Sequence, residues 1–334
     1  MITLGIETSC DETSASITDG NRVLANVVSS SVHMHKKYGG VVPEIASRYH
    51  VEYIVEVLTK ALEVSGKKLG EVKLVAVTNG PGLVGALLIG VSAAKAISYS
   101  LKVPLIGVNH ILAHLYSPFL NGEEKIEFPF IGLVVSGGHT ALFYCKSAHV
   151  QKVLGQTQDD AVGEAYDKVA KLLGLGYPGG PIVEKMAGRS SGVTAISFPK
   201  SYLGKDSLDF SFSGIKTAVL YYVRKQKRLD EGLICDICYA FQEAALDVLA
   251  QKACLACNMN GVKTVVVGGG VAANSKLRQK LSEAASFSGI KVYFPEKRYC
   301  LDNAAMVGFL GEALYKRGNR SDLYLTAEPN LEAG

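Results

Sequence analysis

Ile2-Thr3-Leu4-Gly5-Ile6-Glu7-Thr8-Ser9-Cys10-Asp11-Glu12-Thr13-Ser14-Ala15-Ser16-Ile17-Thr18 opens the chain as an apolar strand, a polar turn and a returning strand. Residues 2–8, 13–18 and 22–29 read as three short strands. Cys10-Asp11-Glu12 and Asp19-Gly20-Asn21 join them with residue types that suit hairpin turns. The theme returns after a linker at 122–127. Residues 130–135 read as a strand, Ser136-Gly137-Gly138 as a turn, 140–145 as the returning strand, and 150–156 as a third. No short fixed period runs through the chain, so this is a duplicated lobe and not a solenoid.

Outward from these hairpins, helical spacing covers about 42–65, with Pro43 suited to a first helical position. A buried strand at 74–78, the turn Gly80-Pro81-Gly82 and an apolar helix to about 100 follow. A strand at 105–108 then leads to a helix capped by Asn109. The second unit adds helices at about 160–173, 214–228 and 231–258, a strand at 264–267, a glycine run, and helices at about 274–285 and 303–316. The pattern predicts an α/β chain of two lobes with a cleft between. One lobe is formed by 1–127 plus 303–334, the other by 128–302.

Composition sets the limits. At 334 residues, 48% hydrophobic and 20% charged, the chain is too apolar for disorder and large enough for two cores. The net charge of +4 permits a nucleic-acid partner without requiring one. Met1 runs directly into a strand, so no targeting segment is expected. The longest apolar run, 82–94, stops at Lys95, short of the ~20 residues that span a bilayer. Seven cysteines, an odd number, argue against a disulfide framework. A cytoplasmic protein with no membrane association is the expectation.

Three polar or glycine-rich turns each follow an apolar strand: Glu7 to Glu12, Ser136-Gly137-Gly138-His139-Thr140, and Gly268-Gly269-Gly270-Val271-Ala272-Ala273-Asn274. Glycines let a phosphate approach the backbone, and successive N–H groups form an anion nest. The third turn sits at a helix start, where dipole and free N–H groups favour a phosphate. Taken together they predict nucleotide binding, although none is a P-loop or a dinucleotide fingerprint.

His110 and His114 are four apart on a helix and share a face, which suits one metal ion, with two half-buried histidines satisfied by hydrogen bonds as the equal alternative. Ile111 and Leu112 stand where a zincin protease would carry its general base. Asp302 is a candidate third ligand, with helix N-capping as its ordinary alternative; Asp159 and Asp160 have the same alternative. Cys235, Cys238, Cys254 and Cys257 match zinc-site spacing, yet 239–253 reads as unbroken helix. At ~1.5 Å per residue the two pairs lie roughly 28 Å apart, too far for one ion. Basic clusters occur at His35-Lys36-Lys37, between Lys200 and Lys205, and at Arg224-Lys225-Gln226-Lys227-Arg228. Each is a solvated face unless it tracks a phosphate backbone.

These motifs together resemble the bacterial TsaD family, the tRNA N6-adenosine threonylcarbamoyltransferases. The resemblance rests on Gly5-Ile6-Glu7-Thr8-Ser9-Cys10-Asp11-Glu12-Thr13, Gly80-Pro81-Gly82-Leu83, Asn109-His110 through His114, and Ser136-Gly137-Gly138-His139-Thr140. It continues through Asp159-Asp160-Ala161, Gly163-Glu164-Ala165-Tyr166-Asp167-Lys168, Tyr177-Pro178-Gly179-Gly180-Pro181, and Phe210-Ser211-Phe212-Ser213-Gly214. Gly269-Gly270-Val271-Ala272-Ala273-Asn274 and Cys300-Leu301-Asp302-Asn303-Ala304-Ala305 complete it over nearly the whole chain. Leu301 stands in place of a usual Thr and Leu112 in place of a commonly polar or small residue; neither is a presumed ligand.

The resemblance implies an actin-like ATPase fold, as in sugar kinases and Hsp70. It implies transfer of threonylcarbamoyl from threonylcarbamoyl-AMP to N6 of adenosine 37 in the anticodon loop of ANN-decoding tRNAs, releasing AMP. It places one iron or zinc ion, Fe2+ or Zn2+, on His110, His114 and Asp302. The adenylate falls to Val134, Val135, Ser136, Gly137, Gly138, Asp167, Gly180, Glu184 and Asn274, with ATP or AMP able to occupy the same cleft. Asp11 and Glu12 are the candidate catalytic carboxylates, with turn formation as their alternative, and Cys10 is expected to be structural. TsaB as heterodimer partner, TsaE, and a possible homodimer are the implied protein partners, with the TsaB contact expected on an exposed apolar helix face within 42–62. A noncatalytic actin-like scaffold would lack the histidine pair, and a carbohydrate kinase would not need it.

Overall fold

In a computed structural model, residues 1–122, 125–147 and 150–333 are described, so the expected 122–127 linker lies partly outside the described residues. The chain divides into two units, 1–127 with 295–334, and 128–294. The return to the first unit comes at Pro295, eight residues before the boundary read from the sequence, so Asp302 belongs to the unit that holds the histidines.

In unit 1, β1 (Ile2–Glu7), β2 (Glu12–Asp19) and β3 (Arg22–Ser30) form an antiparallel meander; β4 (Leu74–Gly80) and β5 (Leu105–Asn109) extend it in parallel, giving the order β3-β2-β1-β4-β5. The connecting helices are α1 (Val32–His35), α2 (Pro43–Ser65), α3 (Val84–Leu101) and α4 (His110–Tyr116). Leu4 and Ile6 of β1 pack into a core with Ile54 and Val57 of α2 and Val91 and Ala94 of α3. Strand side chains alternate between faces, so Gly5 turns the other way, against a last helix described below. α3 is long and apolar enough, by length and composition, to cross a membrane. It packs instead on β4 and α2, burying Ala86, Leu87, Val91 and Ala94.

Unit 2 repeats this order. β6 (Phe130–Val135), β7 (Thr140–Ser147) and β8 (Val150–Gln156) form the meander. The helices α5 (Val162–Leu172), α6 (Gly179–Ala187), α7 (Ser213–Arg224) and α8 (Glu231–Asn260) precede β9 (Thr264–Gly268), α9 (Ser275–Ser286) and β10 (Lys291–Tyr293), in sheet order β10-β9-β6-β7-β8. The chain closes in unit 1 with α10 (Ala304–Lys316), packed on β1, β2 and β4. The duplication is therefore real at the level of topology, strand for strand. In each unit a left-handed glycine lies against the end of the first strand's turn. A Cβ on Gly82 (φ 158°) would sit 2.5 Å from the Ser9 carbonyl, and one on Gly269 (φ 95°) 2.4 Å from that of Val135.

Three elements escape the sequence reading: α1, α6 and β10. α6 begins with Gly179-Gly180-Pro181, which reads as loop; Asp167 Oδ1 accepts the Gly179 N–H at 2.7 Å and satisfies that donor at the helix start. β10 is a three-residue edge strand held by parallel pairing with β9. The four cysteines of α8 are buried along one continuous helix. Burial pushes the Cys238 and Cys257 thiols up to about 12, so they are packing residues.

Candidate functional site

Unit 1 builds a candidate metal site at the end of β5. Asn109 caps α4, its side chain accepting the Leu112 N–H at 3.1 Å, and thereby fixes the first turn that carries His110 and His114. The two rings lie 4.6 Å apart, centroid to centroid. Asp302 completes the group: its Oδ1 is 2.9 Å from His114 Nε2 and 3.6 Å from His110 Nε2. The cap of α10 is Asn303, which accepts from Met306 N. Asp302 is thus released from the capping role that its position suggested.

The residues fit a metal ion. Their ligand atoms lie within 4.8 Å of one another, and donors around a tetrahedral ion at ~2.1 Å stand about 3.4 Å apart. Two imidazoles and one carboxylate leave a coordination position open, as in catalytic sites. Among the described residues this is the one such group.

Glu7 is the residue the sequence reading left without a role. It is completely buried at the end of β1, where Oε2 lies 3.0 Å from His110 Nδ1 and accepts from Thr78 Oγ1 at 2.6 Å; Oε1 accepts the Ser9 N–H. Burial alone would raise this carboxyl, but the charge and hydrogen bond of His110 reverse the effect and hold it below its ordinary value. Burial likewise disfavours the His110 cation, yet Glu7 and Asp302 outweigh it and lift the ring to about 9. A carboxylate on Nδ1 orients the ring so that Nε2 faces the other ligands. The signal available in the sequence was a lone carboxylate ending an otherwise uncharged strand.

Asp11 and Glu12 sit beside this group. Glu12 Oε1 accepts from Ser30 Oγ at 3.0 Å; burial, then the charges of Asp302 and Asp11, push its pKa well above the ordinary carboxylate range. Burial and the same three carboxylates push the Cys10 thiol up as well, which makes it a poor nucleophile.

The nucleotide candidates lie in unit 2. Ser136 N donates to His139 O and Ser136 Oγ accepts the His139 N–H, closing a tight turn between β6 and β7. Gly137 and Gly138 at its tip are exposed, and a Cβ on either would meet open space. Val134 and Val135 are fully buried strand residues, so only their backbone is available to a ligand. Asp167 anchors α6, whose Gly180 also borders open space.

At α9 the expectation of a free helix N-terminus is corrected. Asn274 Oδ1 accepts the N–H groups of Lys276 and Leu277, Asn274 Nδ2 donates to Gln242 at 3.0 Å, and Glu184 Oε1 accepts the Ser275 N–H at 2.8 Å. Two side chains already occupy the donors that a phosphate would use. Nor do Asp159 and Asp160 cap α5. Asp159 binds Ser211, Ser213 and two backbone N–H groups, which outweigh its burial and hold it at about 2. Asp160 pairs with Lys168 and Lys216 at 2.7 Å each.

With this geometry established, comparison with known proteins is decisive. The family profile described as "TsaD: tRNA N6-adenosine threonylcarbamoyltransferase" matches residues 22–309. A tRNA N6-adenosine threonylcarbamoyltransferase of Dictyoglomus turgidum is 51% identical over 336 residues, covering 100% of this chain and 99% of the relative. Among solved structures, full-length HypF in a phosphate- and nucleotide-bound form superposes with TM-score 0.63 at 16% identity, over 96% of this chain and 56% of HypF. A ROK hexokinase from Thermus thermophilus gives TM-score 0.52 at 16% identity, over 95% and 100%. At such identity these structures speak to the fold alone, which is that of the actin-like ATPases.

Proposed function

The chain belongs to the tRNA N6-adenosine threonylcarbamoyltransferase family and is a transferase acting in tRNA modification; from that premise we propose that its donor is threonylcarbamoyl-AMP and its acceptor N6 of adenosine 37 in ANN-decoding tRNAs. The His110, His114 and Asp302 group is the observation that carries this reading, because a nucleotide-binding scaffold has no use for it.

In the reaction the N6–carbon bond forms, the bond from carbon to phosphate oxygen breaks, the amine loses a proton, and AMP leaves. The donor is a mixed anhydride and needs no covalent nucleophile. Unit 2 serves the adenylate: the open backbone of Gly137 and Gly138 admits its phosphate, while Val134, Val135, Ser136, Asp167, Gly180, Glu184 and Asn274 shape the surrounding surface. In unit 1, His110, His114 and Asp302 would hold an iron or zinc ion, which supplies Lewis-acid polarisation of the carbamoyl oxygen. Glu7 keeps the His110 ring aimed. Asp11 and Glu12 are the two carboxylates for the amine proton, one of them taking it up. TsaB and TsaE act as partners, with TsaB on the apolar face of α2 and a homodimer as the alternative pairing of the chain, and the site of action is the cytoplasm.

The test is transfer of labelled threonylcarbamoyl-AMP to an ANN-reading tRNA by the chain with TsaB and TsaE, beside a His110→Ala/His114→Ala variant. Product from the wild type and none from the folded variant is the expected result. Absence of product from a folded wild type with intact partners favours a noncatalytic scaffold of the same complex.

A further inference from the structure

α7 ends in a cluster of charge that the fold does not neutralise. Arg224, Lys225, Lys227 and Arg228 are all exposed, and none has a carboxylate within ion-pair distance among the described residues. The nearest acids in sequence are engaged elsewhere: Asp230 caps α8 by accepting the Leu233 N–H, and Glu231 pairs with Arg189 at 2.6 Å. Five other lysines of unit 2, Lys168, Lys200, Lys216, Lys276 and Lys280, each hold an aspartate or glutamate. A net charge of +4 for the whole chain equals the charge of this one segment.

Helix-dipole compensation does not account for it. That effect involves the last turn, whereas α7 ends at Arg224 and three of the cations lie beyond it. A second feature shares the face. Tyr221 is 58% exposed and stands three and four residues before Arg224 and Lys225, which follow it in helical geometry. Its neighbour Tyr222 is spent on packing against Phe198, so Tyr221 is the ring presented to solvent. Cations that track phosphates beside an exposed aromatic that stacks on an unpaired base are the two parts of a single-stranded RNA surface.

We propose that the exposed end of α7 and the residues that follow it, Tyr221, Arg224, Lys225, Lys227 and Arg228, dock the tRNA, the cations on its phosphodiester backbone and the tyrosine ring on an unstacked base. This rests on tRNA being the substrate. The surface supplies affinity and register, not chemistry.

The test uses the full chain with TsaB present and an unmodified ANN-reading tRNA, titrated between about 50 and about 300 mM KCl. Arg224→Ser/Lys225→Ser/Lys227→Ser/Arg228→Ser is expected to weaken binding on the order of tenfold to a hundredfold. It should also reduce the slope of log affinity against log salt by about 2 to 3. Tyr221→Ala should weaken binding about tenfold and leave the slope unchanged. In both variants KM for tRNA rises while kcat and AMP binding stay at wild-type levels. Wild-type affinity and slope in the quadruple variant overturn the proposal. If that variant instead loses binding to a poly-glutamate peptide, the face belongs to an acidic protein. A wild-type chain that binds no tRNA overturns both this proposal and the substrate reading beneath it.

Discussion

At position 7 a carboxylate is buried in the end of a strand, where an unpaired charge would be costly, and it survives there because His110, Thr78 and the Ser9 N–H all meet it. It holds one ring nitrogen of His110 and leaves the other facing Asp302. Glu7→Gln removes the charge while keeping the shape. We expect metal affinity, measured by competition with a chelator, to fall about 10- to 100-fold, with the fold retained. Equal affinity in wild type and variant would mean that ring orientation is set by α4 and by Ser9 Oγ, which also lies 3.0 Å from His110 Nδ1. The same logic separates neighbours that look equivalent in the sequence. Asp302 and Asn303 both precede α10, but only Asn303 caps it, and this frees Asp302 for the histidines.

Asp302 lies two residues before helix α10, and the depth of that helix is set by a strand residue. A Cβ at Gly5 would lie 2.2 Å from the Ala304 carbonyl and 2.8 Å from Gly308 N, both backbone atoms that cannot swing aside. Gly5→Ala therefore forces α10 off the sheet. We expect a loss of about 1–3 kcal/mol in denaturant unfolding, together with weaker metal binding, because Asp302 lies two residues before Ala304. Reduced stability with unchanged metal affinity would show that Asp302 is positioned independently of the helix. Most elements were legible at this scale: the hairpins, α2, α3, α8 and the strands feeding the glycine turns have strong periodicity or turn chemistry. α6 was not legible, because its Gly-Gly-Pro start satisfies every rule for a loop, and only the Asp167 carboxylate reached from α5 makes it a helix start.

As a whole molecule the protein is one topology written twice, with each copy given a different task. The unit 1 copy carries the His110, His114 and Asp302 group that could hold a metal, the unit 2 copy the exposed glycine turn. Unit 1 also exposes apolar side chains where a lone domain would place polar ones: Val51 and Val55 on α2, and Val84 and Leu88 on α3. The close approach of Ser47 to Gly85 brings these two helices together. Val51→Glu/Val55→Glu should abolish TsaB capture in a pull-down, without changing AMP binding. Undiminished capture would remove α2 as the contact.

The sequence by itself determined the two hairpin-led lobes, the helix-borne histidine pair, the structural character of the α8 cysteines and the family. Each of these follows from local spacing or from motifs that survive without coordinates. Only the tertiary structure decided what long-range contacts decide: that Glu7 reaches across the sheet to His110, that Asp302 and not Asn303 faces the histidines, that Asn274 and Glu184 fill the start of α9, and that the cations after α7 meet no acid among the described residues. A residue's neighbours along the chain fix its backbone, but the charge it feels and the ligand it can hold depend on atoms brought to it from hundreds of residues away.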